Sequence, residues 1–105
     1  MSKAPKRLGL LIACRADSEK FRHASCLIES ALNRGLQVFV YLLDEAVLAV
    51  GTDGMESLRA KGMKLHACSN AARERGLELS DNAVFSGLPV VGDLIKKTDH
   101  FLSFT

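Results

Sequence analysis

The chain has 105 residues, 14 of them Lys or Arg and 12 Asp or Glu, for a formal net charge of +2 at pH 7. That length supports a single domain around one core, and an apolar share of 48% argues for a folded globule rather than a disordered chain. The near balance of charge, with no long run of either sign, excludes a protein that tracks a phosphate backbone. The basic stretch Lys3–Arg7 is read as a solvated tail.

Leu8–Ala13 is a continuous apolar run, the pattern of a buried strand. Asp17 or Ser18 then caps a helix reaching about Asn33. Its stripe of Phe21, Ala24, Ile28, Ala31 and Leu32 fits a helix face and no strand. Gly35 stops it. Leu36–Leu43 is a second strand, rich in β-branched and aromatic residues. Asp44–Val47 opens a short helical turn that Gly51 breaks. Asp53 and Glu56 form a capping box for a helix over Met55–Lys61, which ends at Gly62. Met63–Ala67 is a third, short strand, and a helix starts at Cys68 and stops at Gly76. Leu77–Asn82 is a loop and Val84–Ser86 a fourth strand. Pro89 suits the first turn of a helix to Lys97 with Val91, Leu94 and Ile95 facing inward. His100–Phe104 is the closing strand.

Strands alternating with helices predict a three-layer αβα sandwich around a mainly parallel five-stranded sheet. Sites in such folds lie outside the carboxyl ends of the strands. Cys14 follows the first strand, Asp44 the second and Cys68 the third, so all three fall on that edge.

Of the three, Cys68 carries the strongest signal. It stands where a strand hands over to a helix, and the free N–H groups of a helix start amount to roughly half a positive charge. Thiols at such positions are held as thiolates more readily than a free cysteine. Arg73 and Arg75 follow and add to a favourable field. The competing reading is a small apolar filler at a strand end. Three cysteines, an odd number, argue against a disulfide framework and for reduced thiols. With no secretory pattern at the start and no apolar stretch near the roughly 20 residues of a membrane span, the chain reads as cytoplasmic, with no membrane partner. No zinc-ligand spacing, no P-loop and no G-x-G-x-x-G are present, so no cofactor is expected.

The ordered set of motifs resembles the DsrE/DsrF/TusD-like sulfur-relay family over nearly the whole length. Val40-Tyr41-Leu42-Leu43-Asp44-Glu45-Ala46-Val47 is similar to that family's strand followed by Asp-x-Val. Leu65-His66-Ala67-Cys68-Ser69-Asn70-Ala71-Ala72-Arg73-Glu74-Arg75-Gly76 is similar to its cysteine, small-residue turn and Arg-Gly. Gly87 before a helix and Asp99–Phe104 resemble its ending. The chain departs from the family in a shorter insertion around Gly51–Gly54 and in the extra thiols Cys14 and Cys26.

The resemblance implies a flavodoxin-like fold and a homotrimer or homohexamer. It also implies a sulfurtransferase or persulfide carrier in which Cys68 takes sulfane sulfur from a donor and passes it to an acceptor protein. The alternative is a non-catalytic binding or assembly subunit in which Cys68 only packs. In a flavodoxin-like strand order of 2-1-3-4-5 the first and third strands adjoin, so Cys14 is either a resolving thiol for Cys68 or a packed strand-end residue. His66, two residues before Cys68 on the same strand face, is either a base for the thiol or a hydrogen-bonded strand histidine. Asp44 is either a helix cap or a pocket residue. Cys26 lies off the buried helix stripe, exposed or at a subunit contact.

Overall fold

The protein is described by a computed structural model covering residues 6–105. Five strands, β1 (Arg7–Ile12), β2 (Gln37–Leu42), β3 (Lys64–Cys68), β4 (Val84–Ser86) and β5 (His100–Phe104), form one parallel sheet in the order β4-β3-β2-β1-β5. Four helices connect them: α1 (Glu19–Asn33), α2 (Asp53–Ala60), α3 (Ser69–Glu74) and α4 (Pro89–Lys97); a 3₁₀ turn, Asp44–Ala49, precedes α2. The αβα architecture and the parallel sheet are those the sequence predicts. Of the basic N-terminal stretch, Lys3 to Pro5 lie outside the described residues. Arg7 is no tail: it opens β1, its backbone N–H donates to Asp99 Oδ2 at 2.7 Å, and its guanidinium donates to Gln37 Oε1 at 3.1 Å.

The strand order differs from the flavodoxin order expected above. Here β2 separates β1 from β3, and β1 is flanked instead by β5. The β1–β5 pairing has its closest fit at Gly9. Its register partner on β5 is Phe101, and a Cβ built on Gly9 would stand 2.6 Å from Phe101 Cδ2 and 3.1 Å from Thr98 Cγ2. Only a residue without a side chain lets that ring lie against the strand, so β1 offers a seat to β5 in particular.

This order also decides the layers. β1, β2, β3 and β4 are added in one direction, and right-handed crossovers then place α1, α2 and α3 on one face. The step from β4 to β5 runs back across the whole sheet, which places α4 on the other face. There the Lys97 ammonium lies 4.4 Å from the centre of the Phe39 ring. The first face holds the main core, with Leu8, Leu10, Ile12, Val38, Val40, Leu42, Leu65 and Ala67 alternating inward. The α4 face carries the intervening positions, including Leu11, Tyr41, His66 and Val84 in one row and Cys68 and Ser86 in the next.

Local capping departs from expectation in two places. Ser18 caps α1, its Oγ accepting from the Phe21 N–H at 3.2 Å. For α2 the cap is Thr52, whose extended backbone and Oγ1, accepting from Met55 N–H at 3.5 Å, displace Asp53 into the first turn. Glu56, freed from a capping box, binds Arg59 at 2.9 Å. On α4, Leu94 is buried and Val91 half-buried, but Ile95 is 50% exposed. A single helix on that face turns only its Val90, Val91 and Leu94 side towards the sheet.

Gly9→Ala should therefore lower stability by about 1–3 kcal/mol, the usual cost of overpacking. Elsewhere in a strand the same change gains roughly 0.5–1 kcal/mol. Urea unfolding checks the sign, and a stabilised Ala variant would contradict the tight seat.

Candidate functional site

The handover from β3 to α3 takes place at Cys68. Its backbone is extended, with φ −69° and ψ 119°, so it ends the strand while acting as N-cap of the helix. A side-chain acceptor at that position meets the N–H groups of the first turn, and Cys68 Sγ accepts from the Ala71 N–H at 3.5 Å. The residue is only 6% exposed. Ala71 and Ala72 are buried against the sheet, the small-residue turn that lets α3 approach closely enough to place the sulfur.

Tyr41 approaches the sulfur from the neighbouring strand. It is fully buried on the α4 face, and its register partner is His66, two residues before Cys68. The phenol reaches across β3 and donates from Oη to the carbonyl oxygen of Ser86 at 3.1 Å. Ser86 is in turn the register partner of Cys68. Burial, and then the adjacent Cys68 sulfur, push the phenol well above its usual value of 10.0, so it stays protonated. The Ser86 Oγ is buried and has no hydrogen-bond partner.

His66 lies on the same face one step down the strand. The strand rise puts its Cβ roughly 6–7 Å from that of Cys68, and among the described residues no hydrogen bond joins the two side chains. Burial, and then the Lys97 charge, hold its imidazole below the usual 6.5, so the ring is neutral at pH 7. Its Nδ1 is buried without a partner. His66 also lines a groove of about 590 Å³, with Phe39, Lys64, Val84 and Lys97 on the α4 side and Arg59 of α2 and Leu65 from the other side of the sheet. The groove ends one row short of Cys68 and Ser86.

The strand order keeps Cys14 away from Cys68. Two strand spacings of about 4.8 Å separate their strands, whereas Cα atoms joined by a disulfide lie within about 7 Å. Within one chain the two strands are thus not neighbours, and the partly buried Cys14 side chain packs against the core. Asp44 does reach the carboxyl edge, but not as a cap. The 3₁₀ turn has Leu43 as its N-cap with no side-chain bond, and Asp44 takes a left-handed backbone, φ 52°. Among the described residues no other non-glycine residue does so, and such strain collects at sites and switches.

Of the two arginines expected to add to the field at the sulfur, neither makes a hydrogen bond to it among the described residues. Arg73 is exposed. Arg75 donates to Glu45 Oε1 at 3.3 Å and to the Ala71 carbonyl at 3.2 Å, so it clasps α3 to the 3₁₀ turn and its charge is matched. Cys26 is exposed on α1, in the wall of a groove of about 620 Å³ between α1 and α2 that Cys68 does not line.

Sequence reasoning passed over Tyr41 and Ser86 as parts of the site. One signal was available for Tyr41: a buried tyrosine hydroxyl needs a partner, and β2 otherwise carries only apolar side chains towards the sheet's interior. Ser86 gives no such signal, because its role depends on which strand lies beside it.

The fold is shared with known structures. The chain is similar to ychN protein from E. coli, at 22% identity and a TM-score of 0.69, over 96% of this chain and 100% of that one. It is also similar to a conserved protein of unknown function, BT1422, from Bacteroides thetaiotaomicron, at 16% identity and a TM-score of 0.68, over 90% and 93% of the two chains. No family model matches the chain, and no curated protein sequence does. Among the described residues no helix is long and apolar enough to cross a membrane.

Tyr41 generates a pH prediction. Above 10.0 the unfolded phenol loses its proton while the folded one keeps it, so its contribution to stability is intact below that pH and is lost as pH rises beyond it. Tyrosinate absorbance should appear only together with loss of the native far-ultraviolet spectrum. Ionisation near 10 in a folded chain would contradict the enclosed phenol.

Proposed function

We propose that the protein is a sulfur-relay protein, a carrier or sulfurtransferase of the DsrE-like kind, in which Cys68 accepts sulfane sulfur as a persulfide and hands it to an acceptor protein. One observation supports this reading above the rest: the sulfur ends a strand at the carboxyl edge of a parallel sheet and receives an N–H from the helix it caps. The motif around Cys68 and the shared fold add to it.

The chemistry requires no net oxidation. The Cys68 thiolate attacks the outer sulfur of a donor persulfide, R–S–SH. A bond forms between the two sulfurs as the donor's S–S bond breaks, and its electron pair leaves on R–S⁻. Cys68 then holds S–SH until an acceptor thiolate attacks the outer sulfur and Cys68 leaves as thiolate. His66, neutral and with an unpartnered ring nitrogen one row away, would take a proton from an incoming thiol in this reading. Asp44, exposed at the carboxyl edge, would meet the partner protein.

The assembly reading has its own support in the buried state of Cys68 and in the exposed apolar residues Val84, Leu88 and Ile95 around β4 and α4. Those residues, together with the family resemblance, favour a homotrimer or homohexamer. Sedimentation equilibrium at micromolar concentration should give three or six times the chain mass, and a monomer would count against assembly.

Exposure to polysulfide should add one sulfur atom per chain by intact mass spectrometry. Cys68→Ser should abolish the gain and Cys26→Ser should preserve it. Equal loading of the Cys68→Ser protein would defeat the reading.

A further inference from the structure

Three residues from three adjacent strands share the α4 face at the carboxyl edge: Tyr41 of β2, Cys68 of β3 and Ser86 of β4. The parallel register sets Cys68 beside Ser86 and Tyr41 beside His66, one row lower. The phenol spans the difference, since its hydroxyl ends at the carbonyl of Ser86, the residue paired with Cys68. Its tip therefore stands over the end of β3 where the sulfur lies. On the same face and in the same row, the Ser86 hydroxyl is enclosed and bonds to nothing. Buried hydroxyls are almost always partnered, and an orphan calls for an explanation. A hydroxyl that waits for an acceptor, beside a thiol proposed to gain one more atom, supplies that explanation.

We propose that Tyr41 and Ser86 form the seat of the transferred sulfur atom: the outer sulfur of a Cys68 persulfide lies between β3 and β4 on the α4 face and accepts hydrogen bonds from Ser86 Oγ–H and Tyr41 Oη–H. The inference rests on the sulfur-relay reading and adds to it the residues that hold the cargo. Loading follows the displacement already written, and the proton of the outer sulfur passes to solvent, leaving a persulfide anion. Rotation about the phenol C–O bond moves the Tyr41 hydrogen from the Ser86 carbonyl to that anion, with no covalent bond broken. Because the buried phenol resists ionisation, it remains a donor throughout the range in which the protein is folded. Hydrogen bonds to an ionised acceptor are roughly twice as strong as neutral ones, so the seat favours the loaded form over the empty one.

The composition provides a direct probe. The chain has one tyrosine and no tryptophan, so near-ultraviolet absorbance and fluorescence report Tyr41 without background from other residues of those types. The full chain is equilibrated with glutathione persulfide and glutathione in set ratios: Cys68–S⁻ + GSSH ⇌ Cys68–S–S⁻ + GSH. Loading is read by intact mass, and the tyrosine spectrum is recorded alongside. In the wild type the tyrosine spectrum should shift in proportion to the loaded fraction, and in Cys68→Ser it should not move. Tyr41→Phe and Ser86→Ala should each lower the loading equilibrium constant about tenfold, the size expected when one hydrogen bond to a charged atom is lost.

If the wild type does not load at Cys68, the sulfur-relay reading and the seat fail together. If it loads, and both folded variants load with the wild-type constant, the seat is overturned while the relay reading stands. Should either variant unfold, as checked by circular dichroism, the other variant and the wild-type spectrum decide: an unmoved Tyr41 spectrum on loading overturns the seat.

Discussion

The contact between the Phe101 ring and the bare backbone of Gly9 governs more of this molecule than its size suggests. It accommodates β5 against β1, the pairing for which the last crossover returns over the full width of the sheet. That return sends α4 to the face opposite the other helices. The face under α4 is then covered by one helix where the other face has three. Tyr41, His66, Cys68 and Ser86 all lie on this lightly covered side, and of the four His66 lines the groove. A flavodoxin-like order would have set β1 beside β3 and surrounded Cys68 with different neighbours.

What could be read from the sequence was what is encoded locally. Strand and helix positions follow from apolar runs and 3.6-residue stripes, and the observed elements begin and end within a residue or two of expectation. Cys68 was legible for the same reason, because a strand, a cysteine and a helix start are contiguous. The strand order was not. It involves contacts between the two ends of the chain, such as Gly9 with Phe101, which periodicity cannot see. The cap of α2 shifted from Asp53 to Thr52 because the choice rests on one residue's backbone angle, and both side chains can accept from a first-turn N–H. Tyr41 and Ser86 are 45 residues apart. Only the register of β2, β3 and β4 makes them neighbours, and that register was beyond sequence reasoning.

The carboxyl edge combines a rigid part with a strained one. Cys68 is held between a core strand and a helix start, with Ala71 and Ala72 packed beneath it. Beside it the chain leaves β2 through the left-handed Asp44 into a 3₁₀ turn, tied to α3 by the Arg75–Glu45 pair at 3.3 Å. Arg75 is largely enclosed and Glu45 half exposed, so solvent screens part of their attraction. The tether orients the turn more than it stabilises it.

A sulfur that caps a helix is an uneasy choice for the helix. Serine, aspartate and asparagine all accept from first-turn N–H groups better than a thiol does, and a helix of six residues has little else of its own to hold it. In the proposed relay, chain stability and sulfur chemistry would pull position 68 in opposite directions, as they do at many sites where activity occupies a structurally valuable place. The substitution that removes the proposed nucleophile with least change of shape, Cys68→Ser, also installs a stronger cap, which offsets the cost of setting a hydroxyl at a buried position.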